Sequence, residues 1–370
     1  MLKPRPGIMD IAPYRGGDAR LPGHARVMRL ASNESPLGPS PQAVEAYRAL
    51  ASELHRYPDG AAEELRAAIG KAHGLPPEQI VCGAGSDELI SLVTRSYAGP
   101  GDEVLYSQYG FLMYPLAAKT VGATPVAVPA RDYGADVDAM LARVTPKTRV
   151  VFLANPNNPT GTLLPASEVR RLHKGLPGDV LLALDSAYAE YVADSGYEDG
   201  AALVRDRGNV VMLRTFSKIY GLAALRLGWG YCPPAVADVL NRVRGPFNVP
   251  APSQAAGVAA LSDRAHLEKA LAHNRRWLPW LAARLLEVGL EPVPSAGNFL
   301  LVRFPDPALT ADMAAEFLNS RGILPRKMGP YGLADCLRIT IGLQDENEAV
   351  AQALADFAAP RGAAHRVGAR

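Results

Sequence analysis

Lys218 stands in Arg214-Thr215-Phe216-Ser217-Lys218-Ile219-Tyr220-Gly221-Leu222, directly after the apolar run Val210-Val211-Met212-Leu213 and eight residues ahead of Arg226. An amine at the end of a buried strand, with the hydroxyls of Thr215 and Ser217 before it and a guanidinium after it, has the surroundings of a Schiff-base lysine beside a phosphate pocket. A solvated lysine needs none of these neighbours. Two upstream segments belong with it: Asn155-Pro156-Asn157-Asn158-Pro159-Thr160-Gly161 and Leu182-Ala183-Leu184-Asp185-Ser186-Ala187-Tyr188.

Each segment answers one requirement of pyridoxal 5'-phosphate (PLP). Its ring nitrogen is an electron sink only when protonated, and a buried carboxylate opposite that nitrogen keeps the proton there. Asp185, closing an apolar run, is placed for this, although an aspartate after a strand is as often a turn or helix-cap residue. The phenolic oxygen needs a donor, which either Asn158, in a tight turn with Pro159 and Gly161, or Tyr188 can supply. The phosphate needs amides, hydroxyls and a cation. Ala84, Gly85 and Ser86 follow Ile80-Val81-Cys82 and open a helix, so their amides can face an anion. Ser217 and the fork-shaped Arg226 would complete the cradle. A small-residue loop before a helix is by itself more often only a helix start, and it gains weight here from the other two segments.

The elements that must position these residues follow from periodicity. Short apolar runs at residues 80–82, 103–106, 124–128, 149–153, 180–184 and 210–213 alternate with helical patterns, which predicts an α/β fold built on a mostly parallel sheet with helices on both faces. Helical spacing is read over 43–54, 61–73, 235–244, 253–286 and 310–321, and strands over 298–304 and 337–341, which predicts a smaller α+β layer. Seven prolines before residue 42 describe an irregular arm. The division expected is an arm at 1–40 joining the small domain, a large PLP-binding domain at 41–250 and a small C-terminal domain at 251–370, with the 253–286 segment bridging the two.

With 370 residues, 48% of them hydrophobic and 21% charged, the chain has enough apolar surface for two cores. A net charge of +2, from 39 basic against 37 acidic residues, gives no reason to expect nucleic acid or an anionic membrane as partner. Cys82, Cys232 and Cys336 show no metal-ligand spacing, and neither do the seven histidines, so no metal is expected and a reducing cytoplasmic compartment is. No apolar stretch approaches the roughly 20 residues that span a bilayer. Trp277 and Trp280, at helical spacing, read as core or lobe-packing residues.

The sequence resembles the fold-type I PLP enzymes of the class-II aminotransferase group over nearly its whole length. The likeness runs through Ile11-Ala12-Pro13-Tyr14, Ala31-Ser32-Asn33-Glu34-Ser35-Pro36, Arg56-Tyr57-Pro58-Asp59, Gly85-Ser86-Asp87-Glu88, Asn155 to Gly161, Ser217-Lys218, Arg226-Leu227-Gly228, Pro246-Phe247-Asn248-Val249 and Leu337-Arg338-Ile339-Thr340-Ile341-Gly342. The amino-terminal and Pro-Phe-Asn-Val stretches are similar to the branch acting on histidinol phosphate. The chain departs from the group at Ser186, where glutamate is frequent, and at Ala224, where glycine is.

That resemblance implies covalent attachment of PLP at Lys218, which also moves the proton during turnover, with Asp185 and Tyr188 as its catalytic partners. Phe111 falls where an aromatic ring stacks on the pyridine, and Tyr57 where a neighbouring subunit reaches the cofactor phosphate, which implies a homodimer with active sites shared across the interface. Arg338 matches the arginine that takes a substrate carboxylate, Tyr14 and Arg326 match positions at the far end of the substrate, and Asn33, Asn158 and Asn298 lie in motifs near it. The implied reaction moves an amino group between L-histidinol phosphate and 2-oxoglutarate. Two rival readings are transamination of phenylalanine or tyrosine and PLP-dependent decarboxylation of an amino acid phosphate.

Overall fold

The computed structural model describes residues 2–5, 7–13, 21–24, 26–193 and 196–359. Seven strands form the main sheet: β1 (Ile80–Gly83), β2 (Glu103–Ser107), β3 (Thr124–Val128), β4 (Thr148–Ala154), β5 (Leu181–Asp185), β6 (Val210–Thr215) and β7 (Gly228–Tyr231), in the spatial order β1-β7-β6-β5-β4-β2-β3. All pairings are parallel except those of β7, which runs antiparallel to both β1 and β6. The six apolar runs read from the sequence are the six parallel strands. β7 escaped that reading because Gly-Trp-Gly-Tyr offers only two large side chains, both of which are fully buried.

Alternation along the strands separates two cores, as a pleated sheet covered on both faces requires. Ile80, Val151, Leu182, Met212 and Trp229 point into one core, while Val81, Val150, Phe152, Ala183 and Val211 point into the other. The helices Ser86–Tyr97, Met113–Val121 and Pro234–Val243 cover the second face. Helices Glu63–His73 and Ala251–Ser262 cover the first.

A second, antiparallel sheet of four strands contains β8 (Glu291–Pro292), β9 (Phe299–Arg303), β10 (Arg326–Lys327) and β11 (Cys336–Thr340), in the order β8-β9-β11-β10. Leu300, Val302, Leu337 and Ile339 pack there with the helices Ala311–Ser320 and Gln344–Ala358. The arm joins this layer: Met28 and Arg29 pair in parallel with Ile323 and Leu324, and Leu30 lies in the same core.

The helical run expected over 253–286 is two helices, Ala251–Ser262 and Arg264–Glu287. Asp263 interrupts it because its carboxylate caps the second helix, accepting from the His266 amide at 3.1 Å and from the Ser40 hydroxyl at 2.6 Å. The longer helix spans both lobes, with Ala270 and Leu271 in the core of the large sheet and Trp277, Leu281 and Leu285 in that of the small one. Among the described residues no helix is long and apolar enough to cross a membrane.

β7 also shapes the loop that follows β1. A Cβ built on Gly228 would lie 2.4 Å from the Ser86 amide nitrogen and 2.6 Å from the Gly85 carbonyl carbon, so only glycine lets that loop close onto the sheet. Gly228→Ala must push backbone apart, and about 1–3 kcal/mol of destabilisation is expected from such overpacking. A denaturant midpoint equal to that of the unsubstituted protein would show that the loop is not held against β7.

Candidate active site

The segments singled out by sequence converge at the carboxyl ends of the parallel strands, where α/β sheets hold their ligands. β4 leads into Asn155 to Gly161, β5 ends on Asp185, β6 leads to Ser217 and Lys218, and β1 leads through Gly85 into the helix Ser86–Tyr97. These ends open into a cleft of about 260 Å³, to which the small lobe adds Arg326 and Arg338 and the arm adds Ala31 to Glu34.

Asp185 forms the floor and is 6% exposed. Its Oδ2 accepts from the hydroxyl of Tyr114 at 2.8 Å, and Oδ1 accepts from the Ala187 amide at 3.3 Å. Burial pushes its carboxyl up to about 6, with the Tyr114 hydrogen bond working in the opposite direction. Tyr114 was not among the residues expected here. It is fully buried and stacked on Phe152 with ring centroids 4.6 Å apart. The available signal was a tyrosine in an apolar stretch, whose hydroxyl must find a polar partner when the ring is buried.

Lys218 is half-buried, its Nζ donating to the Ser32 carbonyl at 3.1 Å and lying 5.8 Å from the centre of the Tyr188 ring. Desolvation, reinforced by the nearby positive charge of Arg338, lowers its amine to about 8. Thr215 accepts from the Ser217 amide at 3.0 Å and so shapes the turn that delivers Lys218. Phe111 lines the cleft, edge-on to Tyr114 with centroids 6.0 Å apart.

An anion cradle occupies one end. Gly85 is the N-cap of the helix Ser86–Tyr97 and supplies no side-chain cap, so the first-turn amides remain open to a ligand. Ser86, Ser217 and Arg226 line the cleft beside them. Arg226 donates to Asp87 at 3.0 Å and to the Ser217 hydroxyl at 3.4 Å. A Cβ on Gly85, whose φ is +82°, would sit 2.6 Å from Arg226 Nη2. Ala84, expected in the same cradle, directs its amide away from it, to Glu88 Oε2 at 2.6 Å.

At the other end Arg338, 7% exposed, donates from Nη1 to Asn158 Oδ1 at 2.5 Å and from Nη2 to the Ala31 carbonyl at 2.6 Å. With its oxygen taken, Asn158 has its amide hydrogens as the end able to donate into the cleft. Its loop is pinned by Asn155, which exchanges two hydrogen bonds with the Leu164 backbone at 3.0 and 2.9 Å. Arg326 and Arg338 are direct cross-strand partners on β10 and β11, so two like charges share one face and favour an anion between them.

Asn33 lines the cleft and holds Tyr188, whereas Asn298 stands behind it, donating to the Asn33 carbonyl at 3.1 Å. Tyr57 is not in this cleft. It is 83% exposed and stacks on Phe247 with centroids 4.7 Å apart. Tyr14 lies outside the described residues.

Residues 25–354 match the family model for aminotransferase class I and II. The chain is 60% identical to the histidinol-phosphate aminotransferase of Paramagnetospirillum magneticum over 96% of its own length and 98% of that protein. It is 57% identical to that of Rhodospirillum centenum, over 96% and 98% respectively. The crystal structure of histidinol-phosphate aminotransferase from Sinorhizobium meliloti in complex with pyridoxal 5'-phosphate superposes with a TM-score of 0.83 at 31% identity, covering 91% of this chain and 92% of that one.

In the ligand-free protein the Lys218 amine is expected to be acetylated with a midpoint near pH 8, since its ammonium form is disfavoured by burial and by Arg338. Arg338→Gln removes a like charge and must move that midpoint upward. Competitive labelling with acetic anhydride reads both, and a Lys218 midpoint equal to that of surface lysines, roughly 10.4, would contradict the electrostatics described.

Proposed function

The chain belongs to the aminotransferase class I and II family, and from that premise we propose that it is a PLP-dependent transaminase exchanging the amino group between L-histidinol phosphate and 2-oxoglutarate in histidine biosynthesis. The observation that carries this reading is the convergence, in one cleft, of a lysine lowered to about 8, a carboxyl raised to about 6, an anion cradle and a pair of arginines.

The donor set fits the cofactor. A carboxylate destabilised by burial gains most from a cationic neighbour, and a protonated ring nitrogen held at Asp185 would be such a neighbour. Asn158 and Tyr188 would donate to the ring hydroxyl oxygen, and Phe111 would pack against the ring. Arg226, Ser86, Ser217 and the first-turn amides hold the phosphate, where the close approach of Gly85 to Arg226 leaves no room for a further side chain. When bound, PLP supplies the electron sink that lets a proton leave and return at the substrate's amine-bearing carbon. Lys218 is the base and acid for that proton, and an amine near 8 exchanges it readily at mildly alkaline pH. Thr215 sets the turn from which it works.

Histidinol phosphate brings a phosphate and an imidazole but no carboxylate, whereas glutamate brings two carboxylates. One site must therefore take different anions in turn. Arg338 grips the glutamate α-carboxylate as a fork, and Arg326, beside it on β10, meets the substrate's distal anion. Asn33 borders the same substrate end in this reading, with Asn298 supporting it from behind, and Tyr14 is assigned there on the sequence resemblance.

The reading extends to assembly and location. The arm is joined to the small domain, supported by the Met28–Ile323 pairing, and the large domain expected at 41–250 extends through the helix Ala251–Ser262, which packs in its core, to the helix that spans both cores. The protein acts as a homodimer in which the exposed Tyr57 meets the cofactor phosphate of the partner subunit, supported by an aromatic pair standing in solvent with no function in its own cleft. Three free cysteines, all buried, accord with a cytoplasmic enzyme.

On PLP-loaded protein with 2-oxoglutarate, kcat/KM is expected to favour histidinol phosphate over phenylalanine and tyrosine by about 100-fold or more, beyond what one methylene-sized contact supplies. Comparable values would make it a broad aromatic transaminase, and carbon dioxide release without an oxo-acid acceptor would make it a decarboxylase. Lys218→Ala should abolish turnover while the protein still folds and binds PLP noncovalently. Tyr114→Phe removes a hydrogen bond to a charged group and should lower kcat roughly tenfold; an unchanged kcat would mean that Asp185 does not depend on it.

A further inference from the structure

Asn33 is 1% exposed, in the left-handed region at φ +56°, and every polar group it carries has a partner. Its carbonyl accepts from Asn298 Nδ2 at 3.1 Å, and its amide N–H donates to Thr340 Oγ1 at 3.0 Å. The Thr340 hydroxyl in turn donates to Asn33 Oδ1 at 3.2 Å, and Asn33 Nδ2 donates to the Tyr188 hydroxyl at 2.8 Å. Thr340 is 2% exposed and Tyr188 likewise, so no bulk water competes along this line.

The directions of these bonds are linked. Because Thr340 already accepts the Asn33 backbone N–H, its own proton is directed to Oδ1. That contact settles which end of the Asn33 amide faces β11 and turns the NH2 toward Tyr188. A tyrosine hydroxyl that accepts from an amide keeps its own proton for another acceptor, and the Tyr188 side chain borders the cleft.

We propose that Thr340 and Asn33 are positioning residues that orient the Tyr188 hydroxyl, so that Tyr188 donates its proton into the cleft, toward the cofactor's phenolic oxygen. This rests on the reading of Tyr188 as a donor to that oxygen. Neither Thr340 nor the Asn33 side chain touches the reacting atoms in this arrangement. The three residues come from the end of β11, the arm and the turn after β5, so the small lobe and the arm together set the electronics of a group held by the large one.

The test is a pH titration of the visible absorption of PLP-loaded protein, with melting temperature read alongside. A donor to the phenolic oxygen favours its ionised form, so losing it raises the pH midpoint. Tyr188→Phe is expected to raise it by roughly one pH unit. Thr340→Val, which keeps shape and loses the hydroxyl, should raise it by about half as much, and Thr340→Ser should restore the original value. In the double variant Tyr188→Phe/Thr340→Val the midpoint should match that of Tyr188→Phe alone, since Thr340 acts only through Tyr188. An unshifted midpoint in Thr340→Val, or a Thr340 effect that persists in full without the tyrosine hydroxyl, overturns the proposal while leaving Tyr188 as donor. A midpoint unmoved by Tyr188→Phe overturns the donor role itself and the proposal with it. If Thr340→Val does not fold, Thr340→Ala carries the same comparison.

Discussion

Desolvation at the carboxyl ends of the parallel strands is the condition on which the site depends. It moves two groups in opposite directions, each toward its neutral form, lowering the amine of Lys218 and raising the carboxyl of Asp185. In water the first would be a spectator cation and the second a spectator anion. The sheet achieves this by burying every residue of β5 and β6 and by delivering both side chains just as the strands end. Tyr114 tempers the effect at Asp185, because a hydrogen bond to the carboxylate offsets part of the cost of its burial.

Around that floor, the polar groups are arranged by what each must release. Arg338 holds Asn158 and the arm, and lies over the Phe299 ring at 5.5 Å, so it is already desolvated before any anion arrives. A preorganised guanidinium of this kind orders little on binding, which sharpens the distinction between anions that fit its fork and those that do not. The two lobes are thus joined at the site by hydrogen bonds as well as by apolar packing, where Phe299 meets Tyr188 edge-on with ring centroids 5.3 Å apart. The large cores lie to either side, and the long helix from Arg264 to Glu287 is the rigid element common to both.

Much of this was legible in the sequence because strand-end motifs are local. Lys218, Asp185, Asn158 and Tyr188 each sit within a few residues of an apolar run that announces a strand, Arg226 follows Lys218 by eight residues, and all five line the cleft. What was not legible depends on partners distant along the chain. Tyr114 meets Asp185 across a separation of 71 residues, and nothing near it marks the contact. β7 offers few apolar residues, since two of its four positions are glycine and Gly228 serves close approach to neighbouring backbone. The break at Asp263 was masked by an alanine-rich pattern that continues on both sides of it, since a capping side chain changes the path of the chain without changing its hydrophobic period. Ala84 was read as part of a loop that opens a helix and turns its amides toward an anion, but its amide direction depends on Glu88, one helical turn further on.

The pairing of the arm with β11 has a consequence for how the molecule comes into being. Asn33 and Thr340 are hydrogen-bonded across 307 residues, and Ala31 and Arg338 across the same separation. On a ribosome, the arm emerges before these partners and must wait for the 307 residues that separate them. The large sheet, whose contacts are closer in sequence, can assemble in the meantime, so closure of the longest loop is the last entropy to be overcome. A chain that stops short of β11 therefore lacks the contacts that shape the cleft, and chemical competence arrives only when the arm and β11 meet.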